Sequence, residues 1–163
     1  MENKKHISIA FIGDPRVGKT TIIKLLDEKI EGRGTTYQLS TEDIMYTIWE
    51  LQTVSSEPEK LSIFSTSFLE QSLPYNRFVI IVSDSTQEDV SKITYSLKFL
   101  RQTFPNTRLA IIANKQDLEN RMPAKQIERM NNVPTLELSA MDQTNRNRLL
   151  SFISYLIEAD TGL

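Results

Sequence analysis

Apolar residues along the chain follow two alternating patterns. Runs such as residues 78–82 and 108–113 are mostly apolar, which is typical of strands covered on both faces of a sheet. Segments such as residues 87–103 repeat apolar side chains every three or four positions, as one face of a helix does. The pattern predicts strands at residues 5–12, 37–41, 44–51, 78–82, 108–113 and 135–138, and helices at residues 19–29, 87–103, 124–130 and 145–158.

The remaining segments are less regular. Residues 31–36 contain two glycines and residues 53–60 are polar, so both predict loops. Residues 61–73 are ambiguous, because their apolar side chains can also share one helical face. Strands that alternate with helices predict an α/β fold with a mostly parallel central sheet of about six strands and helices on both faces. The 163 residues suit a single domain over residues 1–163.

The sequence G-D-P-R-V-G-K-T at residues 13–20 fits the pattern G-x-x-x-x-G-K-[ST]. It follows a predicted strand and opens a predicted helix, which is the context that this phosphate-binding motif requires. Backbone N–H groups of such a loop cradle phosphate oxygens, and the helix N-terminus adds partial positive charge. Lys19 would reach the β- and γ-phosphates, and the Thr20 hydroxyl would bind Mg²⁺.

A second motif, N-K-Q-D at residues 114–117, follows the predicted strand at 108–113 and so lies at the same edge of the sheet. Asp117 can accept hydrogen bonds from N1–H and the 2-amino group of guanine, and adenine offers no such donor pair. A buried carboxylate at this position rejects the wrong base, because that base would leave the carboxylate without a hydrogen-bond donor. Asn114 can tie this loop to the phosphate loop, and the Lys115 stem can lie across the base. Ser139 and Ala140, after the last strand, can offer a backbone N–H to the guanine O6.

Composition excludes several alternatives. The net charge of -2 gives no reason to expect a nucleic-acid partner. Cysteine is absent, so disulfides, thiolate catalysis, prenylation and palmitoylation are excluded, and Glu2 replaces the glycine that myristoylation needs. We expect no direct lipid anchor, a cytoplasmic protein, and membrane association only through a partner.

These motifs, in this order along nearly the whole chain, resemble those of the small GTPases of the Ras superfamily. The wording N-K-Q-D-L at residues 114–118 is most similar to the Arf-like branch. The resemblance implies a three-layer P-loop NTPase fold, GTP or GDP with Mg²⁺ as ligands, and switch loops that meet a protein effector or regulator. The nucleotide-binding residues indicated are Gly13, Asp14, Pro15, Arg16, Val17, Gly18, Lys19, Thr20, Thr21, Asn114, Lys115, Asp117, Leu118, Ser139, Ala140 and Met141.

The family also places a Mg²⁺-binding threonine in its first switch loop. Thr35 or Thr36 can fill that role, and the spacing from Thr20 favours Thr36. The metal residues that the resemblance indicates are therefore Thr20, Thr36 and Glu50. The candidates for a switch-facing contact are Tyr37, Trp49 and the residues near Phe64 and Phe68. Core packing is the alternative for all of them and is favoured for Trp49.

The second switch departs from the family pattern D-x-x-G, which glutamine usually follows. Glu50, Thr53 and Val54 stand where aspartate, glycine and glutamine are expected. Glutamate is one methylene longer, threonine restricts the backbone, and valine cannot orient an attacking water. Pro15 would also crowd the place where a catalytic glutamine or a partner's arginine enters. We expect no residue to be assigned as catalytic, and unaided hydrolysis no faster than about 10⁻⁴ per second.

Three functions remain open from the sequence. The first is a small GTP-binding protein that switches between GTP and GDP states with slow intrinsic hydrolysis. The second is a guanine-nucleotide-binding interaction module that never hydrolyses GTP. A P-loop kinase or ATPase is the third, and the N-K-Q-D motif disfavours it.

Overall fold

The computed structural model describes residues 4–30, 32–52 and 76–159. Its strands are β1 (Lys5–Gly13), β2 (Gly32–Arg33), β3 (Thr36–Ser40), β4 (Ile44–Gln52), β5 (Asn76–Ser83), β6 (Arg108–Ala113) and β7 (Thr135–Glu137). Its helices are α1 (Lys19–Leu26), α2 (Gln87–Thr103), α3 (Ala124–Asn131) and α4 (Arg146–Glu158), and a 3₁₀ turn (Gln143–Asn145) precedes α4.

The strands form one sheet in the order β2-β3-β4-β1-β5-β6-β7. The pairs β4–β1, β1–β5, β5–β6 and β6–β7 are parallel. The pairs β2–β3 and β3–β4 are antiparallel. The predicted mostly parallel sheet is therefore confirmed, with an antiparallel hairpin at one edge.

Helices cover both faces of the sheet because alternate residues of each strand point to opposite sides. In β1, Ile9 and Phe11 pack in a cluster with apolar residues of α1 and α4. The intervening residues Ala10 and Ile12 pack in a second cluster with residues of α2 and α3. The three-layer arrangement thus follows from a strand that is apolar on both faces.

Most element bounds agree with the predicted ones to within a residue or two, and two features differ. The two-residue strand β2 lies in a segment that we predicted as a loop. Helix α1 ends at Leu26 rather than at residue 29, because Asp27 is extended and its carboxylate accepts a hydrogen bond from the backbone N–H of Lys29. The ambiguous residues 61–73 lie outside the described part of the chain.

The parallel strands bring several loops to one edge of the sheet. The strands β1, β6 and β7 lead into residues 14–18, 114–118 and 138–141 respectively, and the last residues of β4, 50–52, lie at the same edge. Ligands of open α/β sheets bind at this edge. The sequence motifs therefore lie where the fold places binding loops.

Candidate functional site

Two glycines shape the loop between β1 and α1. A Cβ at Gly13 would lie 2.5 Å from the carbonyl oxygen of Val82, so only glycine allows β1 to end this close to β5. Gly18 has φ +105°, and a Cβ there would collide with the side-chain amide of Asn114. Arg16 also has a positive φ of 68°. Close packing and left-handed backbone therefore explain both glycines of the motif.

Lys19 is almost fully buried beneath this loop, with 4% of its surface exposed. Its ammonium group donates hydrogen bonds to the carbonyl oxygens of Gly13 at 2.8 Å and Asp14 at 2.9 Å. Burial lowers the pKa of Lys19, and the nearby charges of Glu50, Asp14 and Asp89 oppose that shift. The loop's own carbonyl groups thus hold a cation in place beside the helix N-terminus.

Asn114 joins three loops. Its side-chain N–H donates to the carbonyl of Val17 at 2.9 Å, and its Oδ1 accepts from the backbone N–H of Ala140 at 2.9 Å. The neighbouring Lys115 donates from Nζ to the carbonyl of Arg16 at 2.7 Å. The tie to the phosphate loop that we expected at Asn114 is present.

Ser139 orients the carboxylate of Asp117. The Asp117 side chain accepts a hydrogen bond from the Ser139 hydroxyl at 2.6 Å. Asp117 lies in a turn between β6 and α3 and is exposed to solvent. The buried carboxylate that we expect belongs to the site with a base bound against Asp117, and it stays a prediction.

Gln116 has a supporting role that the sequence did not reveal. Its side-chain N–H donates to the Ser85 hydroxyl at 2.8 Å and to the carbonyl of Met122 at 3.0 Å. Ser85 has φ +65° and donates in turn to the carbonyl of Asn114 at 2.7 Å. The variable position of the N-K-x-D motif therefore anchors the loop that carries Asp117.

Glu50 lies near the end of β4 and faces the phosphate loop. Its Oε1 accepts a hydrogen bond from the Thr20 hydroxyl at 2.5 Å. Its Oε2 accepts from the phenol of Tyr37 at 2.9 Å. Burial raises the pKa of Tyr37, and the hydrogen bond to Glu50 adds to the rise. A carboxylate and a hydroxyl therefore sit side by side at the helix N-terminus.

One cleft of about 480 Å³ contains most of these groups, which is a volume typical of small-ligand sites. Its lining residues are Pro15, Arg16, Gly18, Lys19, Thr20, Thr21, Glu50, Gln52, Asn114, Lys115, Asp117, Leu118, Ser139, Ala140 and Met141. Sequence reasoning missed Gln52, although its pairing with Gly13 across two parallel strands places it at the binding edge. Gly13, Asp14 and Val17 support the loop without lining the cleft.

Thr36 is not among the residues that line the cleft. It begins β3 and pairs with Trp49 of β4, while the carbonyl of Thr35 accepts the backbone N–H of Glu50. Metal binding by Thr36 stays a prediction. Thr53 and Val54 lie outside the described residues. Trp49 is partly buried and packs against the cluster under α2 and α3, which agrees with the core alternative.

The donor set at the cleft fits Mg²⁺. Thr20 and Glu50 offer a hydroxyl and a carboxylate, the oxygen ligands that Mg²⁺ prefers. Across residues 4–30, 32–52 and 76–159, no group of three or more His, Cys, Asp or Glu side chains could hold a metal ion. One carboxylate plus substrate phosphates is the usual Mg²⁺ arrangement. In the same residues, no helix is both long enough and apolar enough to cross a membrane.

Known proteins match this chain through structure and not through sequence. No protein-family model matches the sequence. No curated protein matches it either. The solved FeoB G-domain from Methanococcus jannaschii aligns with a TM-score of 0.71 at 19% identity, over 94% of this chain and 99% of that one.

Two further structures come from longer proteins. A variant of the protein SsGBP aligns with a TM-score of 0.71 at 17% identity, over 94% of this chain and 56% of that one. A GTP-binding protein from the archaeon Sulfolobus solfataricus, solved in complex with GDP, has a TM-score of 0.67 at 19% identity, over 91% of this chain and 51% of that one. The present chain thus spans about half of these two proteins. Together the alignments confirm the predicted P-loop NTPase fold, in the form that G-domains have.

Proposed function

We propose that this protein binds GTP and GDP in the cleft and acts as a molecular switch with slow intrinsic hydrolysis. The observation that carries the proposal is that the phosphate loop with Lys19 and the acidic side chain of Asp117 line one and the same cleft. A cation at a helix N-terminus suits phosphates, and an oriented carboxylate suits the N1–H and amino group of guanine. The Sulfolobus solfataricus neighbour is itself a GTP-binding protein solved with GDP, which supports this choice of ligand.

Different residues of the cleft would contact the phosphates and the base of a bound nucleotide. Lys19 would exchange its carbonyl partners for phosphate oxygens, since an ammonium group forms stronger bonds with anions. Lys115, whose Nζ is held by the Arg16 carbonyl, would lie along one side of the base. Met141, the most exposed of the large apolar side chains in the described residues, would cover the other side together with Leu118.

Thr20 and Glu50 would hold the Mg²⁺ that accompanies the nucleotide. The ion supplies neutralisation of charge on the phosphate oxygens. We propose that hydrolysis is slow because Glu50, Thr53 and Val54 replace the residues that the Ras superfamily uses in its second switch. The side chain of Val54 has no polar atom that can orient water, so a partner protein would supply that group.

We propose that the protein belongs to the Ras superfamily and is similar to its Arf-like branch. This assignment rests on N-K-Q-D-L and on the order of the motifs along the chain. We propose a cytoplasmic protein that meets effectors and regulators through its switch loops and reaches membranes only through a partner.

Competition binding tests nucleotide choice. We expect GDP and GTP to displace a fluorescent guanine nucleotide at least tenfold better than ADP and ATP, and Asp117→Ala to remove that preference. Glu119→Ala is the matched control, because Glu119 is also acidic and exposed but does not line the cleft. Equal competition by ATP in the unaltered protein would overturn the proposal.

Phosphate release separates the switch from a module that only binds. In a single-turnover assay we expect a rate no higher than about 10⁻⁴ per second unaided, and a faster rate in cell extract. No release under either condition would favour the non-hydrolysing module, which the apolar Val54 also suits. An unaided rate near about 1 per second would contradict the proposed slow hydrolysis.

A further inference from the structure

The hairpin of β3 and β4 brings a tyrosine to the acidic residue of the cleft. Tyr37 pairs directly with Ile48, and Glu50 lies two residues further along β4 on the same face. Such diagonal neighbours are within reach of an aromatic side chain. The Tyr37 phenol accordingly donates to Glu50 Oε2, while Thr20 donates to Oε1. Both carboxylate oxygens of Glu50 therefore have a donor.

The position of the Tyr37 ring is fixed from the other side as well. Gly32 of β2 pairs with Tyr37, and a Cβ at Gly32 would lie 2.5 Å from the ring. The absence of a side chain at Gly32 allows the ring to lie against β2. Tyr37 also packs against the apolar cluster under α1 and α4. The phenol thus reaches Glu50 from a ring that contacts both β2 and the apolar cluster.

Glutamate has one more rotatable bond than aspartate, so its carboxylate can adopt more conformations. A hydrogen bond to the second carboxylate oxygen reduces the number of those conformations. We propose that Tyr37 is a positioning residue that holds Glu50 against Thr20 for Mg²⁺-dependent nucleotide binding. Glu50 and Tyr37 then act as one unit, in which the tyrosine offsets the extra length of the glutamate. This inference rests on the proposed binding of guanine nucleotides.

The measured quantity is the ratio of GDP affinity in Mg²⁺ to GDP affinity in EDTA. Tyr37→Phe removes only the phenol oxygen and is expected to lower this ratio about tenfold while leaving the affinity in EDTA unchanged. Tyr46→Phe is the matched control, because Tyr46 lies in the same hairpin and packs against the same cluster. An unchanged ratio in Tyr37→Phe, or an equal loss of affinity in both solutions, would overturn the proposal.

Glu50→Asp is the sharper variant. Aspartate is too short to accept from both Thr20 and Tyr37, so we expect the ratio to fall, and adding Tyr37→Phe to lower it little further. A ratio equal to or above that of the unaltered protein would overturn the proposal, because Mg²⁺-dependent binding would then not need a carboxylate held by both Thr20 and Tyr37. Gly32→Ala keeps every atom of the contact but crowds the ring, and it is expected to lower the ratio in the same direction.

Failure of the unaltered protein to bind GDP in any solution would instead refute the proposed function, so the two failures are distinguishable.

Discussion

The Ser139 hydroxyl donates a hydrogen bond of 2.6 Å to Oδ1 of Asp117, and so joins the loop after β6 to the loop after β7. This bond orients an exposed carboxylate that would otherwise rotate freely. Its second oxygen, and the remaining lone pair of the first, can still accept from a base. The acidic end of the cleft is therefore shaped by contact between two loops and not by burial.

Asp117→Asn is expected to change which purine the cleft prefers. An amide presents one acceptor and one donor, so it mispairs with the two donors of guanine and matches the N1–H and C2 carbonyl of xanthine. The affinity for GDP should fall about 10- to 100-fold relative to the affinity for xanthosine diphosphate (XDP). Competition between GDP and XDP measures this shift, and a variant that still prefers GDP as strongly as before would contradict it.

Lys19→Met is expected to weaken GDP binding about 10- to 100-fold, because it removes a charge-assisted contact and keeps the length of the side chain. Lys24→Met makes the same chemical change on the exposed side of the same helix and should bind normally. Equilibrium titration with a fluorescent GDP compares the two. Similar affinities for both variants would remove Lys19 from the site.

Gly18→Ala is expected to destabilise the protein by more than the positive φ of Gly18 alone would cause. Gly18 and Gly34 both have positive φ, but only Gly18 has a neighbour, Asn114, in the space of a Cβ. Gly34→Ala should lower the free energy of unfolding by about 1 kcal/mol, because alanine disfavours a positive φ. Gly18→Ala adds a collision, so we expect a loss of about 2 kcal/mol or more in urea unfolding. Equal losses would show that the collision relaxes without cost.

The sequence predicts the position of a residue well when that residue belongs to a motif that only one local geometry satisfies. The glycines of the phosphate loop, Lys19 and Asn114 belong to motifs with a characteristic local geometry, so their positions at one edge of the sheet followed from the pattern. The apolar runs of β1 and β5 likewise determine a sheet covered on both faces.

Contacts that depend on the register of strand pairing could not be predicted from the sequence. Counting residues from Thr20 favours Thr36 as a metal ligand, which stays a prediction, whereas its pairing with Trp49 at the start of β3 is seen only in the structure. The same register brings Tyr37 to Glu50, which no spacing rule suggested. The hydrogen bond from Ser139 to Asp117 likewise joins two loops that are distant in sequence, so no motif spacing indicates it.

Asp89 lies in the first turn of α2 and is buried. Its carboxylate accepts from the Ser83 hydroxyl at 2.5 Å and from the backbone N–H of Asp84 at 3.2 Å. Burial raises the pKa of Asp89; the charges of Asp84 and Asp14 raise it further, while the two hydrogen bonds lower it. Because the folded protein holds this proton more tightly than the unfolded chain, Asp89 favours folding below its ordinary pKa of 3.8.

That contribution is lost as the pH rises through the folded pKa of Asp89, whereas asparagine stays neutral. The stability of Asp89→Asn relative to the unaltered protein should therefore increase from about pH 4 to about pH 7. Urea unfolding across that range measures the difference. Asp43→Asn makes the same change in an exposed turn and separates burial at Asp89 from the simple loss of a carboxylate. A difference that stays constant with pH would show that the folded and unfolded chains hold the Asp89 proton equally well.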